Sequence, residues 1–361
     1  MKIKPIKIKT PKGVRLIGPG QPVFIIAEMS GNHNQNIKKA YEIIDAAINA
    51  GADAVKMQTY TADTITIDCD NKYFQVKVNE AWKGQTLYSL YKKAYTPWEW
   101  QAKLKKYGES KGILVFSTPF DTTAVDFLEK LNVVIYKVAS FEVVDIPLLE
   151  RIGRTKKPVV ISRGMSTLEE LKLAVKTLKE NGAPQVAVFH CVSAYPADPA
   201  RMNLKLIPEI IKKLRVPAGL SDHSLSNDPA IAAVVLGASL IEKHLILKRT
   251  DDSFDANFSI EPPEFKRLVK SIRSIEASLG KPEFKAGEQE KENLIFRKSL
   301  FVVRDIKKGE KFTPANIRSI RPGHGLEPKY YNKILGKTAK VDIEKGTPLD
   351  WNLVNFKIKN N

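Results

Sequence analysis

The sequence predicts a (β/α)8 barrel followed by a small β-rich domain. Three observations carry this. A short apolar strand, a polar loop and an amphipathic helix recur eight times over residues 22–280. Glycines stand just past helix ends, as C-terminal caps do. Residues 297–354 hold an internal near-repeat, Asp-Ile-Lys-Lys-Gly at 305–309 and Asp-Ile-Glu-Lys-Gly at 342–346, each with an apolar residue (Phe312, Leu349) seven after its Asp. A doubly wound open sheet is the other architecture that such alternation can build.

The elements follow in order. In residues 1–20, Lys2-Ile3-Lys4 and Ile6-Lys7-Ile8-Lys9 alternate as extended pieces with one wet face, and Pro5 between them breaks the phase, which predicts a small hairpin. Strands are predicted at 23–27, 54–57, 113–116, 134–138, 159–161, 186–190, 218–220 and 240–242. Helices follow, among them 36–50, 96–111 and 168–181, with Gly51, Gly112 and Gly182 at their ends. The insert 61–95 is long for a loop between strand and helix, is rich in Tyr and Trp, and is expected to cover the barrel mouth. Residues 216–247 hold two strands that each finish in a histidine, His223 and His244, around a small apolar helix at 229–236. Residues 281–296 are charged and carry no strand signal, which reads as a linker between a first domain (1–280) and a second (297–354). The tail 355–361 is expected to fray.

Composition bounds the function. The chain has 361 residues, 43% hydrophobic and 27% charged, which is ordinary globular material. It has no run of about 20 apolar residues, so no membrane span is expected. The basic start lacks an apolar core and does not read as a signal peptide. The two cysteines, Cys69 and Cys191, form no disulfide framework and suit a reducing cytosol. The net charge of +18 invites a nucleic-acid reading. However, many lysines alternate with helix glutamates, as in LEELKLAVKTLKE, and basic clusters interleaved with exposed aromatics are missing. No nucleic-acid partner is expected, and the field suits a small polyanionic substrate.

The strand ends gather an unusual polar set. They hold Glu28, Asn32 and His33; Lys56 and Gln58; Ser117 and Thr118; Ser140 and Glu142; Ser162; His190, Ser193 and Tyr195; Ser221, Asp222 and His223; Glu242 and His244. Four of the five histidines lie here. In a barrel the carboxyl ends of the strands carry the active site. Two neutral imidazoles with no third strong ligand suit a divalent metal with open positions, although two histidines hydrogen-bonded in a core would look the same in sequence. Lys56 within an apolar strand needs an anionic partner, and converging hydroxyls make a phosphate cradle.

The stretches AEMSGNHN (27–34), AVKMQTY (54–60), STPFD (117–121), KVASFE (137–142), ISRGM (161–165), GLSDHS (219–224), IEKH (241–244) and RPGHG (321–325) resemble, in this order, the sialic acid synthase family, a TIM barrel with a C-terminal SAF (antifreeze-like) domain. AWKGQTLYSLYKKAYTPWEW (81–100), CVSAYP (191–196) and SLFVVRDIKKGE (299–310) look most like the branch of that family that makes pseudaminic acid. The resemblance implies condensation of phosphoenolpyruvate with an N-acylated amino-hexose in its open aldehyde form, for this branch 2,4-diacetamido-2,4,6-trideoxy-altrose. Products of other branches, N-acetylneuraminate or legionaminic acid, are the alternative. It further implies that Lys56, Thr118, Ser140, Ser162 and Ser221 hold phosphoenolpyruvate, and that His223 and His244 hold Mn2+ or Mg2+. Glu28, Gln58, Glu142, Ser193, Tyr195 and Asp255 would face the sugar or the reacting carbons. Arg321 would reach the sugar's N-acyl group from the small domain of a partner subunit in a domain-swapped homodimer. Two departures set the chain apart from sialic-type members: Ser193 stands where they carry Asn, and TDDSFDANFSIEP lacks their Pro-Gly-Pro-Asp pattern. A phosphoenolpyruvate aldolase for a phosphorylated sugar would want a second basic cluster, and a pure binding module would have no use for the filled strand ends.

Overall fold

The computed structural model describes residues 3–77, 84–251 and 253–356. The sequence stretches 2–4, 61–95, 81–100 and 355–361 and the loop around Asp255 therefore fall partly outside the described residues. The chain divides into two compact units, Met1–Gly280 and Lys281–Asn361.

In the first unit, β1 (Ile6–Thr10) and β2 (Gly13–Ile17) form an antiparallel hairpin, with Ile6 opposite Ile17 and Ile8 opposite Arg15. Eight parallel strands follow: β3 (Phe24–Glu28), β4 (Ala54–Thr59), β5 (Leu114–Pro119), β6 (Tyr136–Val138), β7 (Val159–Ser162), β8 (Val186–Cys191), β9 (Ala218–Asp222) and β10 (Leu240–His244). Their order is β5-β4-β3-β10-β9-β8-β7-β6. The first of the eight thus pairs with the last, which an open doubly wound sheet does not allow. β5 and β6, at the two ends of the ladder, lie side by side and nearly close the barrel.

Alternation along each strand decides what faces where. One set (Phe24, Ile26, Ala54, Leu114, Phe116, Ile135, Val160, Ala187, Phe189 and Leu240) fills the lower barrel interior together with Ile6, Ile8 and Ile17 of the hairpin. The other set, including Ile25, Val55, Val115, Leu220 and Ile241, faces outward onto helix residues such as Ile43, Ile44, Leu104, Leu171, Ile207 and Phe265. Each such side chain contributes about 1.5–3 kcal/mol by leaving water. Helix Ile37–Ala50 starts where the Asn36 side chain accepts from Lys38 N, and it ends at Gly51, whose φ of 87° is left-handed. No helix among the described residues is long and apolar enough to cross a membrane.

The strands run further at their carboxyl ends than the apolar runs suggest. β4 extends to Thr59, β9 to Asp222 and β10 to His244. The polar residues expected just past the strands are partly within them: Glu28, Gln58, Thr118, Ser221 and His244 on the inner face, His190 and Asp222 on the outer. They continue the period-two pattern where the apolar filling stops.

The second unit pairs β11 (Ser299–Val302) with β12 (Ile317–Ile320) and β13 (Thr338–Ala339) with β14 (Val354–Asn355), each antiparallel. The near-repeat is a mutual clasp. Ile306 and Ile343 exchange backbone hydrogen bonds at 2.9 and 2.8 Å. Lys345 N donates to Asp305 Oδ1 and Lys308 N to Asp342 Oδ1, both at 2.8 Å. Phe312 and Leu349, the apolar residues that follow each copy, are buried in the unit's core. Residues 281–296 form two short exposed helical turns, Glu288–Lys291 and Glu292–Phe296, and the carbonyl of Ile295 accepts from Gly323 N at 2.7 Å.

Candidate active site

Above the apolar floor the barrel interior changes to charge. Glu28, Lys56, Lys137, Glu242 and Ser221 point inward from β3, β4, β6, β10 and β9, all buried. Lys56 Nζ lies 2.5 Å from Glu28 Oε2 and 3.7 Å from Glu242 Oε2, and donates to Thr118 Oγ1 at 3.0 Å. Lys137 Nζ lies 3.7 Å from Glu242 Oε1, which also accepts from Ser221 Oγ at 2.9 Å. Two ammonium groups and two carboxylates thus share a dry layer. Burial lifts the Glu28 carboxyl to about 7 against the pull of Lys56, with Glu242 adding to the rise. At Lys56 burial works against the charge, but Glu242 and Glu28 outweigh it and raise its pKa. Burial lowers Lys137, which Glu242 only partly offsets. Burial likewise opposes charge at Glu242, but Lys137, Lys56 and the Ser221 hydroxyl together hold it below the ordinary carboxylate value.

The hydroxyls expected in the cradle line the same mouth. Ser140 and Ser193 share a hydrogen bond at 2.8 Å. Ser162 Oγ is buried without a hydrogen-bond partner, an uncommon state for a native polar atom and one that a bound oxyanion would relieve. The turn beneath is tight: Gly164 has a left-handed φ of 49°, and a Cβ there would meet Ser140 Cβ at 2.4 Å.

The two histidines ending in β10 and just past β9 face each other, with ring centroids 5.5 Å apart at 69°. His223 Nδ1–H donates to the Val192 carbonyl at 2.9 Å, which leaves Nε2 with its lone pair, 3.5 Å from Ser221 Oγ. His244 Nδ1 has no hydrogen-bond partner. Burial lowers the pKa of both rings, so both are neutral. Two neutral, buried imidazoles with unfilled nitrogens fit a divalent cation. Among the described residues no group of three or more His, Cys, Asp and Glu is placed to hold a metal, so such an ion would draw its other ligands from substrate and water. Tyr195 and Phe258 wall the pair, their rings 4.5 Å from His223 and 4.9 Å from His244.

Towards the rim, Gln58 Nε2 donates to Glu28 Oε1 at 3.3 Å and to Ser30 Oγ at 3.0 Å. Ser30 ties two carboxylates together: its N–H donates to Glu28 Oε1 at 3.0 Å, and its hydroxyl donates to Asp255. Ser30, Asn34 and Gln35 all hold left-handed φ near 50°, a concentration of strain that marks this loop as functional. Glu142, in the turn Glu142–Val144, has a buried Oε2 without a partner, and burial lifts its carboxyl to about 7. The described part of the 61–95 insert lies over the β3 and β4 ends: Tyr91, on helix Leu87–Ala94, stacks edge-on against Tyr60 at 5.5 Å, and Gln35 Nε2 donates to the Tyr95 carbonyl.

Of the sequence-derived residues, Glu28, Lys56, Gln58, Thr118, Ser140, Glu142, Ser162, Ser193, Tyr195, Ser221, His223, His244 and Asp255 line one barrel mouth. Arg321 lies in the second unit, exposed at the end of β12. The other two strand-end histidines are core residues. His33 bonds Thr96 at 3.0 Å, and His190 turns outward to donate to the Met202 carbonyl at 2.5 Å. Lys137, Ser30 and Phe258 join this mouth without a strand-end signal that marks them. Lys137 repeats the Lys56 signal, a lysine inside an apolar strand, whereas Ser30 and Phe258 owe their place to loop geometry.

The NeuB family profile matches residues 43–284, about two thirds of the chain. The chain belongs to the NeuB family. An SAF domain matches residues 297–355 of this NeuB-family protein. It is 42% identical over 327 residues (91% of this chain, 95% of the relative) to the pseudaminic acid synthase of Campylobacter jejuni subsp. jejuni serotype O:23/36. It is 39% identical over 330 residues (91% and 97%) to that of Helicobacter pylori. Among solved structures it resembles the N-acetylneuraminic acid synthetase of Leptospira borgpetersenii, crystallised with citrate, at a TM-score of 0.68 and 33% identity over 78% of this chain and 93% of that one.

Proposed function

We propose that the chain condenses phosphoenolpyruvate with 2,4-diacetamido-2,4,6-trideoxy-altrose and water, giving pseudaminic acid and phosphate. The observation that carries the reading is the buried Lys56 ammonium, donating to Thr118, in a mouth that also presents the unpartnered Ser162 hydroxyl and two facing imidazoles with unfilled nitrogens. The choice of sugar rests on the likeness to pseudaminic acid synthases over nine tenths of the chain.

In this reading Lys56 and the hydroxyls hold the phosphate, and Lys137 adds positive charge beside it. Mn2+ or Mg2+ held by His223 and His244 would supply Lewis-acid polarisation of the sugar aldehyde. The methylene carbon of phosphoenolpyruvate forms the new C–C bond to the aldehyde carbon, and positive charge develops at the adjacent carbon. Glu28, in a layer too dry to screen it, stabilises that charge or takes a proton from the water that adds there. The C–O bond to phosphate then breaks, and Lys56 keeps the leaving anion. Gln58, Glu142, Ser193, Tyr195 and Asp255 orient the sugar. Arg321 reaches its N-acyl group in the barrel of a second copy, within a domain-swapped homodimer. Supporting that assembly are the exposure of Arg321 and of four apolar side chains, Phe141, Val144, Met165 and Leu225, on the loops after β6, β7 and β9. The two free cysteines suit a reducing cytosol. The test is a panel of N-acylated hexosamines read by product mass. The altrose-derived sugar should be turned over best, and faster turnover of N-acetylmannosamine would overturn the assignment.

A further inference from the structure

Asp222 and Lys243 are neighbours in register on β9 and β10, each one residue before a histidine of the pair. Alternation turns them outward, behind the wall from which His223 and His244 face in, and both are fully buried at 0% exposure. Lys243 Nζ donates to Asp222 Oδ2 at 2.6 Å, to the Ser224 carbonyl at 2.6 Å and to the Ser226 carbonyl at 2.9 Å. These contacts use all three N–H groups of an ammonium, so none is left for a substrate. Asp222 Oδ1 in turn accepts from Ser224 N at 2.9 Å. The loop that carries His223 is therefore closed around one side chain, and the backbone of that side chain leads directly into His244.

A buried ion pair is a poor way to gain stability, since an apolar pair of similar volume does as well or better. What an apolar pair could not do is hold two loop carbonyls. We infer that Lys243 is a positioning residue: by gathering Asp222, Ser224 and Ser226 it fixes the separation and orientation of His223 and His244 so that both can bind one divalent cation. The inference rests on reading that pair as metal ligands, and it belongs to the kind of outer-shell support on which metal affinity depends.

The experiment measures Mn2+ binding to the full chain, stripped of metal, by electron paramagnetic resonance of the free ion, alongside urea unfolding. Lys243→Met should lose stability, because Asp222 is left buried and uncompensated. Asp222→Leu with Lys243→Met should recover much of that stability yet bind Mn2+ at least 10-fold more weakly than wild type. Asp222→Asn removes the charge but keeps one acceptor oxygen for Lys243 Nζ, whose bonds to the Ser224 and Ser226 carbonyls are untouched, so the loop stays closed and Mn2+ should bind within about 3-fold of wild type. A folded double variant with wild-type Mn2+ affinity would show Lys243 to be structural only. Equal losses in Asp222→Asn and the double variant would likewise overturn the inference, by making charge rather than loop closure decisive. If the double variant does not fold, Lys243→Gln carries the same expectation and the same refutation. Wild-type protein that takes up no Mn2+ refutes the metal reading itself, and the inference with it.

Discussion

Replacing Lys56 with Met tests the charged layer most directly. Met keeps most of the aliphatic length and removes the ammonium. Glu28 then loses its partner at 2.5 Å, and Glu242 keeps Lys137 at 3.7 Å. Breaking a buried pair from one side costs about 3–5 kcal/mol. At about 2–4 °C per kcal/mol for a domain of this size, the melting temperature of the barrel should fall by roughly 6–20 °C. Glu28→Gln on the Lys56→Met background removes the stranded carboxyl and should restore most of the loss. Lys56→Met also takes a charge-assisted contact of about 1.5–3 kcal/mol from the proposed phosphate, so KM for phosphoenolpyruvate should rise about 10- to 150-fold. Differential scanning calorimetry reads the first effect. Phosphate release, with each substrate varied in turn, reads the second. A Lys56→Met protein as stable as wild type, or one whose KM rises equally for both substrates, would refute the account of this layer.

Three further outcomes are expected. Metal-stripped protein in EDTA should make no product and regain activity with Mn2+, and His223→Ala should be inactive with the metal present; full turnover by metal-free protein would rule out the metal role. His33, fully buried, has its pKa lowered by burial from 6.5 to about 4, so the unfolded chain takes up a proton that the folded chain refuses. Its stabilisation is complete above pH 6.5 and fades as pH falls towards 4, a difference of about 3 kcal/mol that urea midpoints of wild type should show and those of His33→Gln should not. Finally, mixing inactive Glu28→Ala and Arg321→Ala proteins should restore activity through subunit exchange. If native mass spectrometry shows exchange and activity stays absent, Arg321 does not act in trans.

Periodicity alone was enough to place eight strands and the repeat in the second unit, because apolar spacing is dictated by the core that each element must bury. It placed strand ends too early at β4, β9 and β10, since Gln58, Asp222 and His244 look like loop residues until their inward or outward alternation is known. That the strands close into a barrel rested on β3 pairing with β10, a long-range fact that spacing does not carry. Histidine position was a poor guide by itself. His33 and His190 sit at strand ends yet serve the core, and only ring direction separates them from His223 and His244. Lys137 could have been read from its apolar strand, as Lys56 was. Ser30 could not, because its link between Glu28 and Asp255 depends on a left-handed backbone that serine seldom adopts.

The hairpin at the amino end has a kinetic meaning. Ile6, Ile8 and Ile17 stopper the barrel from below, on a plug of Phe24, Phe116 and Phe189. The vessel has one opening, so depth becomes sequence. If Lys56 holds phosphoenolpyruvate and Asp255 the sugar, as proposed, phosphoenolpyruvate goes in before the sugar, and inorganic phosphate, left at the bottom, comes out last. Phosphate should therefore compete with phosphoenolpyruvate and not with the sugar, a pattern that steady-state product inhibition reads directly.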